Sequence, residues 1–139
     1  MITFEELIDY LSNSDDVGCN GSATDVQIAL TNVKLKQAKY PTLPDEYIKF
    51  VKKFNGLSNN GNIILGINTG SSIFPDIIKF NTSVIGDRET SSIILGYDDM
   101  YYLVYDYDDN LYHVIDKDDF TEDTSSTSFV DLVPYIMKI

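Results

Sequence analysis

A change in apolar period at Gly56 constrains the fold of this chain more than any other feature of its sequence. Before it, Leu43-Pro44-Asp45-Glu46-Tyr47-Ile48-Lys49-Phe50-Val51-Lys52-Lys53-Phe54-Asn55-Gly56 reads as one short helix. Pro44 suits a first turn, because the N–H it lacks is one a helix start leaves unpaired anyway. Asp45 and Glu46 complement the positive end of the helix dipole, and Gly56 stands where a C-terminal cap is expected. Tyr47, Phe50, Val51 and Phe54 make the apolar stripe, and Lys49, Lys52 and Lys53 fall largely on the other side. After Gly56 the pattern is that of strands: Asn62 to Ile67, Ser92 to Tyr97, Met100 to Tyr107 and Leu111 to Asp116.

Two more helices precede this one. Thr3 with Glu6 forms a capping box ahead of Phe4, Leu7, Ile8 and Leu11 on one face. A second helix starts near Ser22 or Thr24 and stops before Pro41, with Val26, Ala29, Leu30 and Val33 at helical spacing and Lys34 and Lys36 on its polar face. Among the strands, the last two form a hairpin closed by Asp108-Asp109-Asn110, since Asn tolerates a left-handed conformation. Residues 68–91 form a long connection with a short helix over Pro75 to Phe80. Ser128 and Asp131 mark a last helix carrying Leu132, Val133, Ile136 and Met137, which Pro134 must bend or interrupt. The expectation is one α+β domain over residues 1–139: N-terminal helices packed on a mainly antiparallel sheet of about four to six strands, then a C-terminal helix. Ile63-Ile64-Leu65-Gly66 recurs as Ile93-Ile94-Leu95-Gly96, which two similar core strands explain.

The N-terminus is amphipathic and lacks the basic start of a secretory signal, and no stretch approaches the 18 apolar residues of a membrane span. Cys19 is the only cysteine, which excludes an internal disulfide and fits a reducing, cytoplasmic setting. The net charge is −12. It is uneven: residues 61–139 hold fourteen acids against four basic side chains. Such a surface repels phosphates, so neither nucleic acid nor an anionic membrane is a direct partner, and basic proteins are the natural complement.

Chemistry finds little support. Nucleophilic catalysis needs a nucleophile and a base in hydrogen-bond reach. The one histidine, His113, alternates with Leu111 and Ile115 as a structural strand residue does, and nothing in the spacing brings it to Cys19. One Cys and one His are too few for a zinc site of clustered ligands. Asp106, Asp108 and Asn110 match the first three ligand positions of a calcium loop, but Leu111 replaces the required glycine and Lys117 the bidentate glutamate. The glycines between Gly56 and Gly70 match no phosphate-binding pattern. No cofactor, metal or catalytic residue is therefore expected. What remains is density: ten acids and one lysine lie between Tyr97 and Asp123, interleaved with tyrosines. Carboxylates steer a basic partner, and tyrosine adds rigid contact area. Asp98, Asp99, Tyr101, Asp106, Asp108, Asp109, Asp118 and Asp119 are the candidate partner-binding residues.

The Leu43–Gly56 stretch, in which Leu-Pro opens a helix that carries an aromatic and ends in Asn-Gly, resembles the signature of the SUKH superfamily. The likeness continues through Asn62-Ile63-Ile64-Leu65-Gly66, through Asp76-Ile77-Ile78-Lys79-Phe80-Asn81, and into the Ile94-Leu95-Gly96 strand with the aromatic hairpin after it. It looks most like the bacterial YrhA-like branch. The resemblance implies helices packed on a sheet and a binding role: for bacterial members, immunity to a cognate protein toxin, often a nuclease; for fungal relatives, regulation of the cell wall. The partner expected on this reading is a basic toxin, blocked by stoichiometric occlusion in the cytoplasm. The alternative is a regulatory scaffold unrelated to toxins.

Overall fold

The computed structural model describes residues 2–70, 73–84 and 91–139. In chain order the elements are α1 (Phe4–Ser12), β1 (Gly18–Cys19), α2 (Asp25–Gln37), α3 (Asp45–Val51), β2 (Leu57–Asn59), β3 (Asn62–Ile64), α4 (Ile77–Lys79), β4 (Ser92–Tyr97), β5 (Tyr101–Asp106), β6 (Leu111–Asp116), β7 (Glu122–Ser126) and α5 (Phe129–Met137). The single turn of α4 runs on as a π-helical stretch over Phe80–Val84. Residues 71–72 and 85–90, part of the expected connection over 68–91, lie outside the described residues.

The architecture is the α+β fold expected from the sequence, with helices before the sheet and one after it. The sheet has seven strands in the order β1-β2-β3-β4-β5-β6-β7, every neighbouring pair antiparallel. That is more than the four to six anticipated, because the short β1, β2 and β7 join the four strands that apolar periodicity announces.

Local chemistry sets the helix boundaries. Thr3 Oγ1 accepts the Glu6 N–H and Glu6 Oε1 accepts the Thr3 N–H, both at 3.1 Å, so α1 opens with a complete capping box. Thr24 and Gln27 do the same for α2 at 3.1 and 2.8 Å, which settles its start at Thr24 rather than Ser22. In α3 Pro44 is the cap residue, but the helix ends at Val51, short of Gly56. Gly56 instead takes φ +111° leading into β2, where an added Cβ would lie 3.3 Å from both Ile64 O and the Phe74 ring. Asn110 takes φ +59° in the β5–β6 turn, as that hairpin requires. The helical span of α5 continues through Pro134, at the loss of one backbone donor. Its buried residues Phe129, Leu132, Val133, Ile136 and Met137 outweigh that loss.

α2 corrects the expected orientation. The helix is present, but Ile28, Thr31 and Leu35 face the core, while Val26, Leu30 and Val33 are 68%, 53% and 52% exposed. Both faces of α2 are apolar, so spacing alone does not tell which of them is buried.

Phe129 anchors the core. Its ring stands edge-on to Tyr47 at 5.8 Å and to Phe50 at 5.5 Å, and lies 5.6 Å from Tyr112, joining α3, α5 and β6. α5 therefore covers the sheet face that carries Tyr112, and by strand alternation His113 points to the opposite face.

At the centre of the sheet the two Ile-Ile-Leu-Gly segments lie side by side. Ile64 pairs with Gly96, and the Leu65 N–H reaches Leu95 O at 2.9 Å. The approach is too close for a side chain at Gly96, where a Cβ would sit 2.6 Å from Ile63 O. β3 then leaves the sheet, and two buried amides replace the strand pairing it gives up. Asn81 Nδ2 donates to Ile94 O at 3.0 Å and its Oδ1 accepts the Ile94 N–H at 2.9 Å. Asn55 makes the same pair of bonds to Ile67, at 2.8 and 2.7 Å. Removing either amide strands a buried backbone donor and acceptor together. Asn81→Ala and Asn55→Ala are each expected to lower the unfolding free energy by about 2–4 kcal/mol, measured by denaturant titration, whereas Gln37→Ala at an exposed position of α2 should leave it nearly unchanged.

Candidate partner-binding surface

The acidic turns lie at two opposite ends of the sheet. The β4–β5 turn (Asp98, Asp99, Met100) and the β6–β7 turn (Asp118, Asp119, Phe120) share one end. The Lys117 N–H donates to Met100 O at 3.0 Å and ties the two turns together. The β5–β6 turn, with Asp106, Asp108 and Asp109, lies at the other end, about 17 Å away along six-residue strands. The eight candidate residues therefore do not form one continuous face.

At the first end, Asp98 is spent inside the fold. It is 2% exposed; its Oδ1 accepts the Met100 and Tyr101 N–H groups at 2.8 and 2.7 Å, and its Oδ2 meets Lys138 Nζ at 2.6 Å. Burial alone pushes its carboxyl pKa up, but the Lys138 ammonium and the two backbone donors outweigh it and hold the group below the usual carboxylate range. Asp99, Asp118 and Asp119 remain exposed. Hydrogen bonds from the Thr121 hydroxyl and N–H hold Asp119 below the usual range, so it stays ionised. Met100 follows Asp99 and Phe120 follows Asp119 in these turns; they are 59% and 55% exposed, and Phe120 takes φ +60°. Lys117 is drawn over the Tyr97 and Tyr102 rings, at 4.9 and 5.4 Å. Tyr101, half-buried, packs edge-on against Tyr135 at 6.4 Å. The Tyr135 hydroxyl bonds to Asp123, which together with burial pushes its pKa up to about 12.

This end carries two exposed apolar side chains and three exposed carboxylates on two linked turns, the composition of a protein-docking patch. Sequence reasoning missed Met100 and Phe120. Their only signal was an apolar residue inside an otherwise acidic turn. The tyrosines contribute less than expected. Tyr112 is in the core, Tyr105 packs on Tyr107 and Tyr112, and the Tyr107 hydroxyl is committed to Thr42 O at 2.6 Å.

At the far end, Asp106 Oδ1 accepts the Asp108 N–H at 2.8 Å and Asp109 Oδ1 accepts the Leu111 N–H at 2.9 Å. His113 lies between two carboxylates: Nε2 is 2.8 Å from Asp109 Oδ2 and Nδ1 contacts Glu122. Partial burial pulls the imidazole pKa down, but these two carboxylates outweigh it and raise it above its ordinary value. Cys19 is remote from this group. It lies on β1, five strand spacings and therefore about 24 Å from β6, so the two cannot form a dyad. Burial pushes the Cys19 thiol pKa up, away from the reactive thiolate.

With this geometry in hand, comparison with known families is decisive at one level. The SUKH_6 family model, described as SMI1-KNR4 cell-wall, matches residues 38–132, from just after α2 into α5. The chain belongs to the SUKH superfamily. The YrhA-like branch suggested by the sequence is narrower than this match states. No curated protein matches the chain. Among the described residues no helix is long and apolar enough to cross a membrane.

The pairing of buried Asp98 with partly exposed Lys138 yields a pH dependence of defined sign. The folded-state pKa of Asp98 is lowered, so its contribution to stability is present above the unfolded value of about 3.9 and is lost as pH falls through the folded value below it. Asp98→Asn should therefore melt below wild type at pH 7, with the gap closing as pH is lowered toward 2, checked by thermal melts across that range.

Proposed function

We propose that this protein is an immunity protein that binds a cognate, basic bacterial toxin in the cytoplasm and neutralises it by stoichiometric occlusion. The observation that carries the reading is the end of the sheet where Asp99, Asp118 and Asp119 share two linked turns with exposed Met100 and Phe120. Membership of the SUKH superfamily supports a binding role over catalysis. The carboxylates steer a cationic partner into register, and Met100 and Phe120 supply the desolvated contact that holds it. For a nuclease toxin, such a surface fills the basic groove that otherwise holds phosphates. Residues 1–139 act as one unit in this reading, without metal or cofactor in the contact itself.

Co-expression with the product of the neighbouring gene in the native host is the test. A toxic, basic protein should be recovered in a one-to-one complex, and its toxicity should be suppressed. Turning Asp99, Asp118 and Asp119 together to Asn should weaken that complex at least tenfold, chiefly by slowing association, and flatten its salt dependence. Met100→Ala with Phe120→Ala should instead speed dissociation. A partner that is itself acidic, or a complex indifferent to all five changes, overturns the assignment.

The matched SMI1-KNR4 cell-wall family favours a second reading as a regulatory interaction scaffold. A gene standing apart from any toxin or secretion locus, with a non-toxic partner, would support it over immunity.

A further inference from the structure

We propose that Asp106, Asp109 and His113 form a binding site for a divalent transition-metal ion of the zinc type, with Glu122 orienting the imidazole. The site lies at the β5–β6 end of the sheet and does not depend on the partner proposed above. Each of the three residues presents a ligand atom, and the three atoms lie within 4.8 Å of one another. Zinc holds nitrogen and oxygen ligands at about 2.0–2.2 Å, which sets the ligand atoms about 3–3.5 Å apart. His113 Nε2 and Asp109 Oδ2 are already at 2.8 Å, so closure requires a shift of about 1–1.5 Å in the widest pair. The Asp109 side chain is 42% exposed, and a rotation about its own χ angles supplies that movement.

Two features distinguish this grouping from a solvated acidic turn. First, the imidazole is oriented from behind: Glu122 on β7 engages Nδ1, so that Nε2 points at Asp109. A carboxylate on one imidazole nitrogen with the ion on the other is the arrangement that fixes ring orientation in metal sites. Second, Asp109 from the hairpin turn and Glu122 from β7 both contact one imidazole, an Asp106 oxygen lies within 4.8 Å, and among the described residues no lysine or arginine forms an ion pair with any of the three acids. The backbone donors to Asp106 and Asp109 both reach Oδ1. A divalent cation takes the Nε2 lone pair in place of the proton, which is released to solvent, and joins the hairpin turn to β6. The nitrogen ligand disfavours calcium and magnesium, which take oxygen, and suits zinc.

The test is a calorimetric titration of the full chain with Zn2+ alone. One ion per chain is expected. His113→Asn and Asp109→Asn should each abolish the single-site isotherm. Glu122→Gln should weaken it about 10–100-fold, as loss of an orienting carboxylate does. Asp15→Asn with Asp16→Asn, exposed acids in the α1–β1 loop, should leave it unchanged. His113 is the only histidine, so its imidazole proton resonances report binding in the wild-type chain, whatever the variants do to folding. They should move to a new position at one equivalent of Zn2+. Resonances that stay in place at saturating Zn2+, or an isotherm unchanged in His113→Asn, or one lost equally in the Asp15 and Asp16 variant, would overturn the site.

Discussion

The fold depends on the close approach of β3 to β4 and on the two buried amides that take over where β3 departs. Gly96 allows the backbones to meet, and Asn81 then occupies the hydrogen-bonding edge of Ile94 that β3 no longer covers. Asn55 does the equivalent service for Ile67. Because Asn55 follows α3 and Asn81 follows α4, these bonds also dock two helical segments to the sheet. A backbone donor and acceptor buried without partners are costly, so the amides determine where the helical layer sits as much as apolar packing does. Phe129 reinforces the placement by contacting α3 and β6 at once.

From that seam β4 to β7 extend as a meander, and a meander places successive turns at alternating ends. The acidic residues lie mainly in those turns. Alternation therefore separates one run of carboxylates in the sequence into two groups with different neighbours. One end pairs its acids with exposed apolar side chains, which is the grammar of a protein interface. The other gathers acids about an imidazole, which is the grammar of cation coordination. Membership of the SUKH superfamily, established over residues 38–132, accounts for the scaffold.

Much of this was legible in the sequence, and the gaps have physical causes. The ends of β4 and β6 follow from apolar blocks bounded by turn residues, and the Leu43–Gly56 motif carried the family. β7 was not legible, because Glu122-Asp123-Thr124-Ser125-Ser126 is an edge strand wet enough to lack an apolar alternation. β1, with two residues, is too short for any period. Asp98 and Asp99 are indistinguishable as neighbours in the sequence. One is buried and the other exposed because Lys138, forty positions away, reaches only the first. The grouping of Asp106, Asp109 and His113 arises from the turn folding back on β6, which no ligand spacing in a linear motif anticipates.

The outward stripe of Val26, Leu30 and Val33 on α2 gives the net charge of −12 a second role. Three large aliphatic side chains in a row on a solvent face are sticky at contact distance, yet copies of a strongly anionic molecule repel one another before contact is reached. That repulsion extends only about 8–10 Å at physiological ionic strength, and it vanishes near the isoelectric point of about 4.2. An encounter between two copies is therefore governed by a balance between a long-range barrier and a short-range attraction.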